Sequence, residues 1–205
     1  QYMEQEYPGD ELEALSPPRA QSIFSREMIE GMAEDCTEPI RKVGPANIYQ
    51  EIRVGRRYVA GSDVALGVEM DYSVTVVVDV NSGYVVADLV TKTLQPEDFS
   101  VASMELLEVY GNPDWGIENN FSDTVITTAK NENYPKLYKR RVGRGKNMRR
   151  EDGWRTDRAS RQALFDELIA SFNAGHLTIP NRQGLDEFST IIAAAGEKPQ
   201  AMGGA

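Results

Sequence analysis

Several things are scarce in this sequence, and each scarcity excludes a class of protein. There is one cysteine, Cys36, so no internal disulfide can form and no cysteine cluster can hold zinc. A lone thiol fits a reducing cytoplasm and reads as a buried spectator. The single histidine, His176, would have to carry any Ser-His-Asp chemistry alone. No nucleophile turn is recognisable, so it reads as a packed or surface imidazole in a short strand. No apolar run approaches the roughly 20 residues that cross a bilayer, and the N-terminus lacks the basic-then-apolar pattern of a leader, so a soluble, untargeted protein is expected. No Gly-x-x-x-x-Gly-Lys-Ser/Thr occurs, which excludes ATP hydrolysis by a phosphate-binding loop of that type.

The 205 residues can bury one core with a short appendage. The formal charge of −10 is concentrated at one end. Residues 1–40 hold ten acidic side chains against only Arg19 and Arg26. The rest is close to neutral, so the low pI of 4.7 does not argue against nucleic acid as a partner of the main body. The first residue is not Met, which reads as a piece of a longer polypeptide.

Ser16-Pro17-Pro18 breaks the chain into a linker, and Ser25 caps a short helix from Arg26 that ends near Gly31 or Cys36. Pro39, Gly44 and Pro45 close this arm. From Arg57 the pattern turns to β. Residues 57–63, 72–80 and 84–93 predict three consecutive antiparallel strands, with Asn81-Ser82-Gly83 as a hairpin turn. Pro96 opens a helix to Tyr110, residues 114–118 form a buried strand, 121–128 a helix and 136–141 another strand. Thr156-Asp157-Arg158 opens an amphipathic helix through Asn173 with Leu164, Phe165, Leu168, Ile169 and Phe172 on one stripe. A brief strand at 176–179 and a last helix opened by Gly184-Leu185-Asp186-Glu187 complete the pattern. The expected class is α/β, a mixed central sheet of three antiparallel and then parallel strands flanked by helices.

Two carboxylates stand at strand ends. Asp63 ends the first long strand and Glu118 ends the buried one. Asp is common at turns, so Asp63 alone could be a turn cap. In a parallel arrangement the two would emerge on one edge and repel unless a divalent cation neutralised them. Oxygen ligands without His or Cys favour Mg²⁺ or Mn²⁺ over zinc. Two such ions about 3.5–4 Å apart suit phosphodiester hydrolysis.

Between Lys136 and Arg150 stand eight cations and no acid: Lys136, Lys139, Arg140, Arg141, Arg144, Lys146, Arg149 and Arg150. With Gly143 and Gly145 this reads as a loop or hairpin lying along phosphates, or else as a solvated charged surface.

These residues resemble the C-terminal half of phage large terminase subunits, which join an ATPase to a nuclease. The resemblance is carried by Glu6-Tyr7-Pro8-Gly9-Asp10, Gly61-Ser62-Asp63 with Gly67 and Asp71-Tyr72-Ser73, Gly116-Ile117-Glu118-Asn119-Asn120, Tyr134-Pro135-Lys136-Leu137-Tyr138, Gly153-Trp154-Arg155-Thr156 and Leu185-Asp186-Glu187-Phe188. It implies a ribonuclease H-like fold and a divalent-metal endonuclease, using Mg²⁺ or Mn²⁺ and two ions, that cuts concatemeric double-stranded viral DNA at the start and end of packaging in the infected bacterial host. Asp63 matches the family's first catalytic aspartate and Glu118 its second acidic ligand, with Asp71 a weaker metal candidate. Lys139, Arg140, Arg141, Arg144, Lys146, Arg149 and Arg150 are the candidate DNA contacts.

Residues 1–50 would be the arm from a preceding ATPase domain and 51–205 the nuclease domain, truncated at its C-terminal end. The family's third ligand, an aspartate in a His-Asp-Asp-like motif, has no counterpart in the sequence and is expected beyond Ala205. Asp186 and Glu187 are poor substitutes, since they suit the first turn of a helix, where the dipole favours negative charge. Portal and small terminase subunit would be partners. Competing readings are a junction resolvase or transposase of the same fold, and a non-catalytic DNA-binding or motor-docking module.

Overall fold

The computed structural model describes residues 21–65, 71–118, 120, 123–143, 145–193 and 200–201. The motif at 6–10, together with Gly67, Asn119 and Arg144, lies outside the described residues. The elements are β1 (Gln21–Ser22), α1 (Arg26–Ala33), β2 (Arg41–Val43), β3 (Ala46–Ile48), β4 (Tyr58–Asp63), β5 (Ser73–Asp79) and β6 (Tyr84–Thr91). They continue with α2 (Pro96–Val109), β7 (Asp114–Ile117), α3 (Thr124–Asn131), β8 (Lys139–Val142), β9 (Arg149–Asp152), α4 (Arg158–Asn173), α5 (Arg182–Phe188), β10 (Ile191–Ala193) and β11 (Gln200–Ala201).

Six strands form one mixed sheet in the order β2-β3-β6-β5-β4-β7. The expected meander β4-β5-β6 is antiparallel, and β7 adds to β4 in parallel after the crossover helix α2. A parallel neighbour requires such a crossover, and the amphipathic run opened by Pro96 supplies it. The hairpin turn requires Gly83 twice over. Its φ is +71°, and a Cβ there would collide with the His176 carbonyl.

Alternation along the strands puts apolar side chains on both faces. On one face Ala60, Val77, Val86, Leu89, Trp115 and Ile117 pack against Phe99, Leu106 and Leu107 of α2 and Val125 and Ile126 of α3. On the other, Val85 meets Phe24, Ile29 and Met32 from the start of the chain, Phe172 of α4 and Leu185 of α5. Phe24 stacks edge-on with Phe172 and Phe188. Ser25 caps α1 as expected. The stretch from Phe24 to Ile48, read above as part of an arm, thus packs into the same body, with β2 and β3 as the sheet's edge hairpin around Gly44-Pro45. Cys36 is half-buried and its thiol lies near the Ile179 carbonyl at 3.6 Å.

Four expectations need correction. The strand expected at 136–141 pairs with β7 only as an isolated bridge at Leu137, because the chain then leaves the sheet to form the β8-β9 hairpin. The strand at 176–179 is likewise one bridge, Thr178 to Tyr84. The apolar stripe of α4 is buried only towards its C-terminal end. Phe172 is enclosed and Leu164 is 48% exposed. Finally, Asn181 caps α5, so Asp186 and Glu187 fall in its last turn, and Asp186 is held by Arg182 at 2.8 Å. The dipole argument for those acids does not apply there.

Candidate metal centre

The sheet register builds the site. Ser62 of β4 stands opposite Ile117 of β7, so the next residues along these parallel strands, Asp63 and Glu118, are neighbours on the same face. The Glu118 N–H donates to the Ser62 carbonyl at 2.9 Å. Beneath them runs a buried chain of hydroxyls. The Trp115 indole N–H donates to Ser62 Oγ at 2.8 Å, Ser62 Oγ meets Thr75 Oγ1 at 2.6 Å, and Thr75 Oγ1 meets Ser103 Oγ at 2.8 Å. This chain ties β4, β5, β7 and α2 together directly under the carboxylates. Satisfied buried networks of this kind hold elements in one arrangement.

Burial at the strand end, then the charge of Glu118 and a hydrogen bond with it, raise the Asp63 pKa from 3.8 to about 6, opposed by the Val64 N–H and by Arg161. Asp63 is exposed at its tip, while protein packed behind the strand end desolvates its carboxylate. The upward direction follows from both the crowding and the neighbouring acid.

Glu118 is oriented from the side. Asn120 Nδ2 donates to Glu118 Oε1 at 2.8 Å and to the Thr156 carbonyl at 2.9 Å, while Asn120 Oδ1 accepts from the Thr156 N–H at 2.9 Å. Asn120 and Thr156 stand in the motifs at 116–120 and 153–156, but the sequence assigns no role to them or to Arg161. Arg161 lies one turn inside α4, whose N-terminus is fixed by the Asp157–Ser160 capping box.

Asp71 is exposed, just ahead of β5, and is not among the groups that shift Asp63. Among the described residues no group of three or more His, Cys, Asp or Glu side chains is assembled. Asp63 and Glu118 come together as a pair; Asp71, Asp186 and Glu187 do not join them. His176 is exposed.

The basic segment folds as the β8-β9 hairpin, and its position is set by the sheet edge. Leu137 bridges to Trp115, the hairpin departs, and Trp154 returns to bridge Glu118. The hairpin therefore springs from beside the carboxylates. Its charge is less one-sided than the sequence suggests, because β9 continues into Glu151 and Asp152. Lys139 pairs with Asp152 at 3.2 Å, Arg149 with Glu151 at 2.7 Å and Arg140 with Glu151 at 3.6 Å. Arg141 and Arg150 instead face each other across the hairpin, both exposed and without an ion pair among the described residues. Lys146 has a described backbone only. Among the described residues, no helix is long and apolar enough to cross a membrane.

No family model and no curated protein matches the chain. Solved structures do. The large terminase nuclease of thermophilic phage G20c with bound magnesium matches at a TM-score of 0.64 and 16% identity, covering 91% of this chain and 90% of that one. Its cobalt-bound form matches at 0.65 and 16%, over 92% of each chain. The large terminase nuclease domain of Thermus phage P74-26 matches at 0.58 and 18%, over 84% and 83%. With a mixed sheet covered by helices on both faces and β7 parallel to β4, this chain has the ribonuclease H-like fold of the phage large terminase nucleases.

Proposed function

We propose that this chain is the metal-dependent nuclease domain of a phage DNA-packaging terminase, cutting concatemeric double-stranded DNA at the initiation and termination of packaging. The observation that carries the reading is the Asp63–Glu118 pair, two acids held side by side at the end of parallel strands although their charges oppose each other. Such an arrangement is unfavourable without a cation and favourable with one. Paired carboxylates and the amide of Asn120 make an oxygen-rich donor set without His or Cys, which fits Mg²⁺ or Mn²⁺. Asp63 and Glu118 would hold the metal, as two ions in the reading favoured here. When bound, these ions polarise a phosphate and lower the pKa of a water.

The chain's own residues do the rest. Asn120 fixes the Glu118 carboxylate against Thr156, the hydroxyl chain under Ser62 fixes the strand ends, and Arg161 supplies positive charge near Asp63. The β8-β9 hairpin, with Arg141 and Arg150 foremost, contacts phosphates on either side of the cut; Lys139, Arg140, Arg144, Lys146 and Arg149 add to that surface. An ATPase domain preceding this one in the same polypeptide, the portal and the small terminase subunit are the partners this function entails.

The test is plasmid cleavage with Mg²⁺ or Mn²⁺ by the wild type, Asp63→Asn and Glu118→Gln. The reading expects metal-dependent cutting by the wild type and none by either variant. Wild-type protein that binds DNA but leaves it intact with both metals would instead indicate a DNA-binding or motor-docking module.

A further inference from the structure

Gly61 and Gly116 stand directly opposite each other in the middle of β4 and β7, and nothing in the fold calls for glycine at either place. Neither has a positive φ. Among the described residues, a Cβ on Gly61 would meet no atom within 4 Å, and one on Gly116 would make only ordinary contacts, 3.8 Å to the Ala60 carbonyl and 4.0 Å to Tyr138 Cβ. Glycine weakens a strand interior, and where it is not needed for conformation or packing it marks close approach by something else.

The approach is on the metal-site face. Residues two apart on a strand share a face, so Gly61 lies with Asp63 and Gly116 with Glu118, about 6.6 Å back along the strands. The glycines therefore floor a bare lane leading up to the carboxylates. Its side is aromatic. Tyr138 follows the Leu137–Trp115 bridge, which sets it beside Gly116, and Trp154 pairs with Glu118. The Tyr138 and Trp154 rings lie 6.2 Å apart at 42°, and Tyr138 is 40% exposed. The Trp154 Nε1 is buried and has no hydrogen-bond partner among the described residues.

We propose that Gly61, Gly116, Tyr138 and Trp154 form a subsite for one unstacked nucleotide of a single strand. Its sugar–phosphate lies over the two glycines and its base lies against the Tyr138–Trp154 side. This rests on the nuclease reading and adds to it the state of the substrate: the strand is locally unpaired next to the cut. A base inside a duplex offers a side chain only its edges, whereas an unstacked base offers its face to an aromatic ring.

The chain has two tryptophans, and Trp115 is fully buried, so quenching of intrinsic fluorescence by an oligonucleotide reports on Trp154. The probes are single-stranded (dT)8 and a blunt duplex of the same length, with Ca²⁺ present. Single-stranded (dT)8 should quench the wild type and bind it at least about tenfold more tightly than the duplex does. Gly61→Val should lose at least about tenfold in (dT)8 affinity with its Tm unchanged or raised and its Mn²⁺-induced thermal shift retained, because the valine fills the lane and suits a strand. Tyr138→Ala should weaken quenching and Tyr138→Phe should preserve it.

Equal (dT)8 affinity in Gly61→Val and wild type, or equal quenching by duplex and single strand, overturns the subsite. Cleavage measured alongside separates the two readings. A wild type that cuts with Mn²⁺, and a Gly61→Val variant that cuts with the same KM, leave the nuclease and remove the subsite. A wild type that binds (dT)8 as described yet cuts nothing leaves the subsite and removes the nuclease.

Discussion

Ser62 accepts the backbone N–H of Glu118 through its carbonyl at 2.9 Å and the indole N–H of Trp115 through its hydroxyl at 2.8 Å. One residue thereby fixes the strand that carries Glu118 from both the backbone and the core side. Removing its hydroxyl leaves the buried Trp115 N–H without an acceptor and Thr75 without one of its partners. Ser62→Ala should cost about 1–3 kcal/mol in urea unfolding and also lower cleavage, although the hydroxyl touches no substrate. A variant as stable as the wild type would mean that another acceptor replaces it.

The acid pair makes the metal-free protein sensitive to pH. The folded pKa of Asp63, about 6, lies above its ordinary 3.8, so the native state holds the proton more tightly than the unfolded chain. Stability from this group is fully present below about 3.8, falls as pH rises through the window to about 6, and stays low above it. In EDTA, Asp63→Asn should therefore melt a few degrees above the wild type at pH 7.5, and the gap should close towards pH 4. Mn²⁺ should raise the wild-type Tm at pH 7.5 and have little effect on the variant. A pH-independent gap would show that the charge pair is not its source.

The hairpin's cations should not contribute equally to binding. Arg141 and Arg150 repel each other across the strands, while Lys139, Arg140 and Arg149 are already engaged by Asp152 and Glu151. Replacing Arg141 and Arg150 by Ser should reduce the slope of log K against log salt for duplex DNA by about 0.9 for each phosphate no longer neutralised, with stability unchanged. Replacing Lys139 and Arg149 should change the slope less. The opposite ranking would show that the ion pairs open on binding.

Gly83 and Gly111 have nearly equal positive φ, +71° and +72°, but only at Gly83 would a Cβ strike the backbone, at the His176 carbonyl. Gly111→Ala should cost only the left-handed strain, about 1–2 kcal/mol. Gly83→Ala should cost clearly more, because the Thr178 bridge to Tyr84 must shift. Equal losses in chemical denaturation would mean that the His176 segment yields freely.

What the sequence disclosed followed local rules. The β-branched runs around Asn81-Ser82-Gly83 and the proline opening α2 determine the meander and its crossover, and the meander and crossover bring Asp63 beside Glu118. What stayed hidden depends on pairing between distant segments. Nothing local says that Leu137 and Trp154 share one side of β7, that Asn120 reaches Thr156, or that Glu151 and Asp152 fold back onto the cations before them. The corrected position of Asp186 has a similar cause. Asn181 caps the helix in place of the Gly184 region suggested by the motif, and starts it two residues earlier.

The sharing of that sheet edge sets the mechanics of the region. Tyr138 leaves β7 and Gly153 rejoins it in direct contact, the Gly153 N–H donating to the Tyr138 carbonyl at 2.8 Å. The stem of the excursion is thereby closed, and the β8-β9 hairpin beyond it is held again by Lys130 of α3, whose ammonium pairs with Asp152 at 2.7 Å. Trimming or re-lengthening the hairpin beyond these two ties should leave β4 and β5 in place, because the stem bond and the Lys130 pair lie between its tip and the sheet. The wall beside Glu118 is in this sense a fixed post carrying an interchangeable arm.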